Sequence, residues 1–252
     1  MASAMRRYRE VLLASAAGPA LIAFTYLTPP LIDPELAAGV PWIGRLPGDL
    51  PIYALRFAGS FLLLGLLPLI LALALGERPG GLGLRRSRAL RPRWVYPLLV
   101  PAILAGVFLG SRSPALFSYY PYSRTLALAW GGAGFALHAL LYGALYYLPW
   151  EILFRGILLF PLVRMADRPL AEDGLGAVTG IPLAIVILQA ILSALLHFGH
   201  PFSETLIAFP FGLLLGWLAL RTGSLWPGLA LHALAGIGQD LFNTLRLAGW
   251  LP

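Results

Sequence analysis

The chain has 252 residues, of which 59% are hydrophobic and 12% are charged, whereas soluble domains are about 25% charged. This composition excludes a soluble globular protein, and the absence of cysteine excludes a disulfide framework and a cysteine nucleophile. The net charge of +7 comes from arginine, since the chain has no lysine. The arginines cluster between apolar segments, which is typical of membrane proteins. We therefore expect a lipid bilayer around the chain and no nucleic-acid partner.

The apolar segments predict an all-α polytopic membrane protein with about seven (six to eight) transmembrane helices, because a spanning helix needs about 20 mostly apolar residues. The predicted spans cover approximately residues 11–32, 53–75, 95–109, 126–165, 181–197, 205–220 and 229–245. The first span follows a basic start that looks like a signal peptide, but its length predicts a retained helix. The fourth span is longer than one crossing requires, and Pro149 predicts a break or kink in it.

The loop between the second and third spans predicts the orientation. Residues 77–93 contain six arginines and one glutamate, and basic loops remain in the cytoplasm. We expect a cytoplasmic N-terminus and, with seven spans, an external C-terminus, in a prokaryotic plasma membrane. No polar stretch is long enough to fold alone, so residues 1–252 are expected to form one membrane domain.

The segment PWEILFRGILL places an acid and an arginine four residues apart in apolar sequence. On a helix, Glu151 and Arg155 share one face, one turn apart. Ionisable groups are costly inside a membrane and mark functional sites. The alternative is a mutual salt bridge that allows both charges to exist in a helix bundle.

The other polar candidates within or beside spans are His138, His197, His200, Glu204, His232 and Asp240. A buried carboxylate can take a proton from water, while histidines can orient that water, ligate a metal or stabilise an oxyanion. Structural alternatives exist for five of them, beginning with His138 as a packing or hydrogen-bonding residue and His200 as a loop residue. Glu204 is also explained as a first-turn acid at a helix N-terminus. His232 and Asp240 lie in one broad stripe of the last helix and can form a structural pair.

Three blocks of the chain resemble the CPBP intramembrane proteases, also called the CAAX-prenyl protease or bacteriocin-processing group. The blocks are WEILFRGILL, SALLHFGHPFSE and GLLLGWLALRTGSLWPGLALHA. The family pattern is EExxxR, then FxxxH, then Hxxx(N/D/S), on separate helices. The resemblance covers about residues 145–245, and it implies a catalytic core at about 125–248 after N-terminal spans at about 11–110.

The resemblance also implies roles for four residues that match the pattern. Glu151 would activate water as general base and later act as general acid, while Arg155 would hold it. His197 would position the water, and His232 would stabilise the oxyanion. Counting along the spans places His197 near an outer helix end and His232 near an inner one. A short, tilted or broken span is therefore needed to bring both to Glu151.

Three positions depart from the family pattern. Trp150 stands where the first glutamate is expected, which is the residue usually assigned to water activation. Ser193 replaces the phenylalanine, and Gly236 replaces the polar residue four positions after the third-motif histidine, although Asp240 lies one turn further on. An inactive relative that acts as a membrane scaffold or immunity-type binding protein is therefore a second hypothesis. A transporter is a third, but the chain lacks the repeated halves typical of that class.

The first hypothesis is an intramembrane endopeptidase that hydrolyses a peptide bond of a membrane-associated protein or peptide. His200, Glu204 and Asp240 are additional candidates for its site. HExxH is absent, so the chain is not an ordinary zincin. We expect no metal; a zinc ion, if present, would be held by Glu151, His197 and His232.

Overall fold

The chain forms a helical bundle in a computed structural model that describes residues 2–31, 33–86, 95–166 and 178–252. No strand occurs within these ranges, which confirms the all-α class. Two predicted loops lie partly outside them. Residues 87–94 carry Arg88, Arg91 and Arg93 of the predicted cytoplasmic loop, and residues 167–177 include most of the loop before the fifth predicted span.

The helices follow the predicted order closely. They are α1 (Ala2–Leu31), α2 (Pro34–Gly39), α3 (Leu50–Ala74), α4 (Val95–Gly110), α5 (Pro114–Tyr119), α6 (Gly131–Met165), α7 (Gly180–Leu195), α8 (Phe202–Thr222) and α9 (Trp226–Leu247). Short 3₁₀ turns occur at Ile43–Arg45 and Pro79–Leu82, and a π-helical turn, Thr125–Ala129, precedes α6.

Four helices in the described ranges are long and apolar enough to cross a membrane, namely α1, α3, α6 and α8. Helices α4 and α7 are apolar but have only 16 residues each. Helix α9 has 22 residues and coincides with the last predicted span, but it is not among those four. The apolar helices suggest an integral membrane protein, while the number of seven spans stays a prediction.

Helix α6 lies at the centre of the bundle. In its most apolar window 89% of the residues are buried, against 22–39% in the other three candidate spans. The helix continues through Pro149 instead of ending there, and π-helical segments Gly143–Tyr147 and Ile152–Leu159 flank that residue. Proline has no backbone N–H to donate, so one helical hydrogen bond is missing at Pro149. The wider π-helical turns allow the helix to continue past this position.

An ionic cluster fastens α1 to the end of α6. The guanidinium of Arg164 donates to Glu10 of α1 at 2.7 Å and to Glu77, beyond α3, at 3.3 Å. Arg164 also donates to the carbonyl of Gly81 at 2.6 Å. Because Glu10 is 1% exposed, its charge depends on these partners. The N-terminal helix is thereby tied to the central one.

A tight turn joins α8 to α9 and sets the position of α9. Gly223 ends α8 in the left-handed region at φ +58°, which glycine adopts without steric cost. The Arg85 side chain donates from Nε to the Gly223 carbonyl at 3.0 Å. Helix α9 then begins at Trp226 with Pro227 in its first turn, where a missing N–H is harmless. His232 consequently lies in the second turn of α9.

Candidate active site

The acid–arginine pair lies in the buried middle of α6. Glu151 ends the short α-helical segment Leu148–Glu151, and Arg155 belongs to the π-helical segment that follows. Arg155 Nη1 donates to Glu151 Oε1 at 3.1 Å, and the two residues are 1% and 0% exposed. A buried charge without a partner is strongly destabilising, so each group serves as the partner of the other.

His232 joins this pair from α9. Its Nδ1 lies 2.8 Å from Glu151 Oε1. Because the carboxylate accepts, Nδ1 carries the hydrogen and Nε2 is the ring nitrogen left for a ligand. A Cβ on Gly228 would lie 3.3 Å from Glu151 Oε2, so the bare glycine lets α9 approach α6 closely. Gly228 is one turn before His232, and this approach brings the imidazole to the carboxylate.

A cavity of about 510 Å³ lies next to this pair, between α4, α6, α8 and α9. Besides tyrosines, its titratable wall residues in the described part of the chain are His197, His200, Glu204 and His232. Its aromatic wall residues include Tyr120, Tyr122, Tyr142, Tyr146, Tyr147 and Trp150. Glu151 is not on the wall; it is fully buried and bound to the His232 ring, which is on the wall. The cavity therefore has a largely apolar and aromatic wall that carries a few titratable groups.

His197 reaches the cavity from the turn between α7 and α8. Helix α7 ends at Leu195, so the histidine lies just beyond a helix of only 16 residues. The short helix removes the difficulty of bringing His197 and His232 to one place. His197 Nδ1 lies 2.9 Å from the Ser193 carbonyl, which only accepts, so Nδ1 carries the hydrogen. The Nε2 lone pair is then free to accept a hydrogen bond in the cavity.

Glu204 and His200 form a second hydrogen-bonded group on the wall. His200 Nδ1 lies 2.9 Å from Glu204 Oε1, and the Tyr120 hydroxyl donates to the same oxygen at 2.7 Å. Burial raises the pKa of the Tyr120 hydroxyl well above its ordinary value, so it stays a proton donor. Tyr120, from the tyrosine-rich stretch that follows α5, is thus part of the cavity wall.

Asp240 lies away from the cavity wall and binds another histidine. Its Oδ2 is 2.6 Å from His138 Nε2, and both residues are 0% exposed. His138 Nδ1 lies 3.0 Å from the Tyr53 hydroxyl. The two residues on α9 that sequence reasoning had paired, His232 and Asp240, therefore have different partners. This buried chain of hydrogen bonds links α3, α6 and α9.

Each of the three residues that depart from the family pattern, Trp150, Ser193 and Gly236, packs against a side chain of complementary size. Trp150 Nε1 donates to Ser193 Oγ at 3.2 Å, so a large residue on α6 faces a small one on α7. A Cβ on Gly236 would fall on the Tyr147 hydroxyl, and both residues line the cavity. Tyr147 also packs its ring 4.6 Å from that of His232. A hydroxyl from α6 thus fills the space that a side chain at position 236 would occupy.

The suggested zinc ligands do not converge on one point. Glu151 and His232 are directly hydrogen-bonded, and His197 contacts Trp150, with ring centroids 5.6 Å apart. No group of three or more histidines and acids in the described ranges is arranged to hold a metal ion. The residues thus do not fit a three-ligand zinc site. The expectation of a metal-free enzyme stays a prediction.

These features define a class: a bundle of apolar helices with an acid and several histidines on the wall of one cavity. Residues 132–237 match the family described as Rce1-like, type II CAAX prenyl endopeptidase. The chain therefore contains an Rce1-like domain, consistent with a CPBP-family intramembrane protease. No curated protein and no solved structure matches the chain. The matched segment includes Glu151, His197, Glu204 and His232 but not Asp240.

Proposed function

We propose that the protein is an intramembrane endopeptidase that hydrolyses a peptide bond of a membrane-associated protein or peptide. The observation that carries this proposal is the 2.8 Å contact between Glu151 and His232, with the imidazole on a cavity wall between apolar helices. Peptide hydrolysis in a membrane needs such a pocket, because water has to be held where lipid cannot enter. The Rce1-like domain supports the same reaction class.

In this proposal Glu151 acts through His232 rather than directly on water. Glu151 is 0% exposed and does not line the cavity, whereas its partner His232 does. The Glu151 carboxylate accepts from Nδ1–H and fixes the ring orientation, and with a second proton on Nε2 the ring donates to the oxyanion of the tetrahedral intermediate. Arg155 holds the Glu151 carboxylate through the 3.1 Å hydrogen bond. This assignment keeps the oxyanion role predicted for His232 and changes the role predicted for Glu151.

His197 positions the attacking water in the same scheme. Its Nδ1–H is engaged by the Ser193 carbonyl, so Nε2 accepts a hydrogen bond from water in the cavity. The water and the scissile carbonyl would then lie between His197 and His232. The proposal also includes the location and division of the chain. We propose a prokaryotic plasma membrane, a cytoplasmic N-terminus, and a division into N-terminal spans and a core at about 125–248. Hydropathy and arginine placement support these parts.

The test compares protein termini in host membranes that contain the wild-type chain, Glu151→Gln or a control. Glu35→Gln is a matched control, because Glu35 is exposed and lies far along the chain from the cavity residues. We expect new termini with the wild type and with Glu35→Gln, and their loss with Glu151→Gln at equal protein levels. Identical termini in all strains would overturn the proposal and favour the scaffold hypothesis.

A further inference from the structure

Glu204 is the acid on the cavity wall within the described part of the chain. Glu151 is bound by Arg155 and His232 behind the wall, and Asp240 is bound by His138. Hydrolysis by activated water needs a proton acceptor that touches the water. Neither Glu151 nor Asp240 lines the cavity, so among the acids of the described residues Glu204 is the carboxylate that can touch water there.

The hydrogen bonds of Glu204 leave one oxygen ready to accept. The Tyr120 hydroxyl and His200 Nδ1–H both donate to Oε1, at 2.7 and 2.9 Å. Two donors on one oxygen stabilise the ionised carboxylate. Oε2 is buried, and no donor from the described residues reaches it, which is also true of Glu151 Oε2 and Asp240 Oδ1. Of these three residues Glu204 is the one on the cavity wall, so its free oxygen is the one placed to accept from a water or ligand in the cavity.

The position of Glu204 at the start of α8 does not account for this arrangement. An acid in a first turn is favoured by the helix dipole and commonly accepts from backbone N–H groups. Glu204 instead accepts from side chains that come from two other segments, the stretch after α5 and the turn before α8. Those contacts direct the carboxylate into the cavity, where His197 and His232 also lie.

We propose that Glu204 is the general base, and then the general acid, of the endopeptidase reaction proposed above, on which this inference rests. Glu204 Oε2 takes a proton from water while the water oxygen bonds to the scissile carbonyl carbon and the C=O electron pair moves to oxygen. The oxyanion is bound by His232. The carbonyl then re-forms, the C–N bond breaks, and the protonated Glu204 gives its proton to the leaving nitrogen. One water is consumed, and a carboxylic acid and an amine are formed.

The experiment uses the full-length protein in proteoliposomes and a synthetic peptide that spans a bond cleaved only by the wild type in host membranes. Glu204→Gln keeps the shape of the side chain and removes the basic oxygen. We expect kcat/KM to fall about 10²–10⁴-fold, the usual contribution of general acid–base catalysis. Glu204→Asp should retain part of the rate because it restores a carboxylate. Glu35→Gln should leave the rate unchanged. Equal rates for the wild type and folded Glu204→Gln would overturn the inference.

The pH profile separates a catalytic from a structural role. The titratable groups nearest Glu204 are Tyr120, His200 and His197, with His232 across the cavity. Further titratable groups that interact with it are Tyr119, Tyr122, Tyr146, Tyr147 and Asp240. Tyr120→Phe removes a donor to the ionised form, so the acid limb of kcat/KM should move to higher pH. This variant also serves if Glu204→Gln does not fold. An unmoved limb in folded Tyr120→Phe would overturn the inference.

The outcomes for the two proposals are distinct. If the wild type yields no new termini, the endopeptidase itself fails, and the role of Glu204 fails with it. If the wild type cleaves and Glu151→Gln does not, while Glu204→Gln cleaves at the wild-type rate, only the role of Glu204 fails. The expected pattern is loss of cleavage with either substitution, together with partial rescue by aspartate at position 204 alone.

Discussion

Removing Arg155 tests whether the buried charges behave as one unit. Glu151 and Arg155 are 0% and 1% exposed, so neither charge is stabilised by bulk water. Arg155→Met should leave Glu151 with only His232 as a partner and lower the free energy of unfolding by about 3–5 kcal/mol. Glu151→Gln in the same chain should recover more than half of this loss, because a neutral amide oxygen still accepts from His232.

The assay is reversible unfolding by SDS in mild detergent micelles, followed by tryptophan fluorescence. Arg112→Met is the matched control, because Arg112 is exposed and lies over the Phe108 ring, with its Cζ 5.1 Å from the centroid. That control should change stability by no more than about 1 kcal/mol. The reasoning is refuted if Arg155→Met costs no more than Arg112→Met, or if the double variant is less stable than Arg155→Met alone.

Three further predictions follow from contacts around the site. Gly236→Ala should lower stability by about 1–3 kcal/mol, because its methyl group meets the Tyr147 hydroxyl, and Tyr147→Phe should recover part of the loss in thermal unfolding. His138→Leu should lower the free energy of unfolding by about 1–3 kcal/mol, because Asp240 loses its histidine partner. The kcat/KM per folded molecule should stay within about twofold of the wild type, and a tenfold fall would show that Asp240 contributes to the active site. Purified active protein should hold less than stoichiometric zinc and keep its activity in a strong chelator, and loss of a stoichiometric zinc together with activity would contradict this.

Local spacing predicts contacts within one helix well. Glu151 and Arg155 are four residues apart, and their side chains meet at 3.1 Å as helical periodicity requires. The helix positions follow from hydropathy in the same way, because each apolar segment has to be buried in the protein or face lipid. These features depend on neighbours in sequence, so no knowledge of the tertiary structure is needed.

Contacts between helices could not be predicted in this way. Asp240 pairs with His138 across 102 positions of sequence, and spacing along α9 suggested His232 instead. Glu204 looked equally like a helix-start acid, since nothing local shows that Tyr120 donates to it from 84 positions away. The tyrosine-rich stretch was the available signal, because hydroxyls in an apolar chain need partners.

Helix α4 lies outside the matched segment but forms part of the cavity wall, so the matched segment alone does not form the whole cavity. The Rce1-like match begins at residue 132, yet Ile103, Gly106 and Val107 of α4 line the cavity, and Phe24 of α1 packs edge-on against Trp150, with ring centroids 6.2 Å apart. A chimaera that carries residues 132–237 alone into another membrane protein would lack the α4 wall of the cavity and the Phe24 contact with Trp150. The transferable unit is set by the residues that form the cavity, and it is larger than the matched segment.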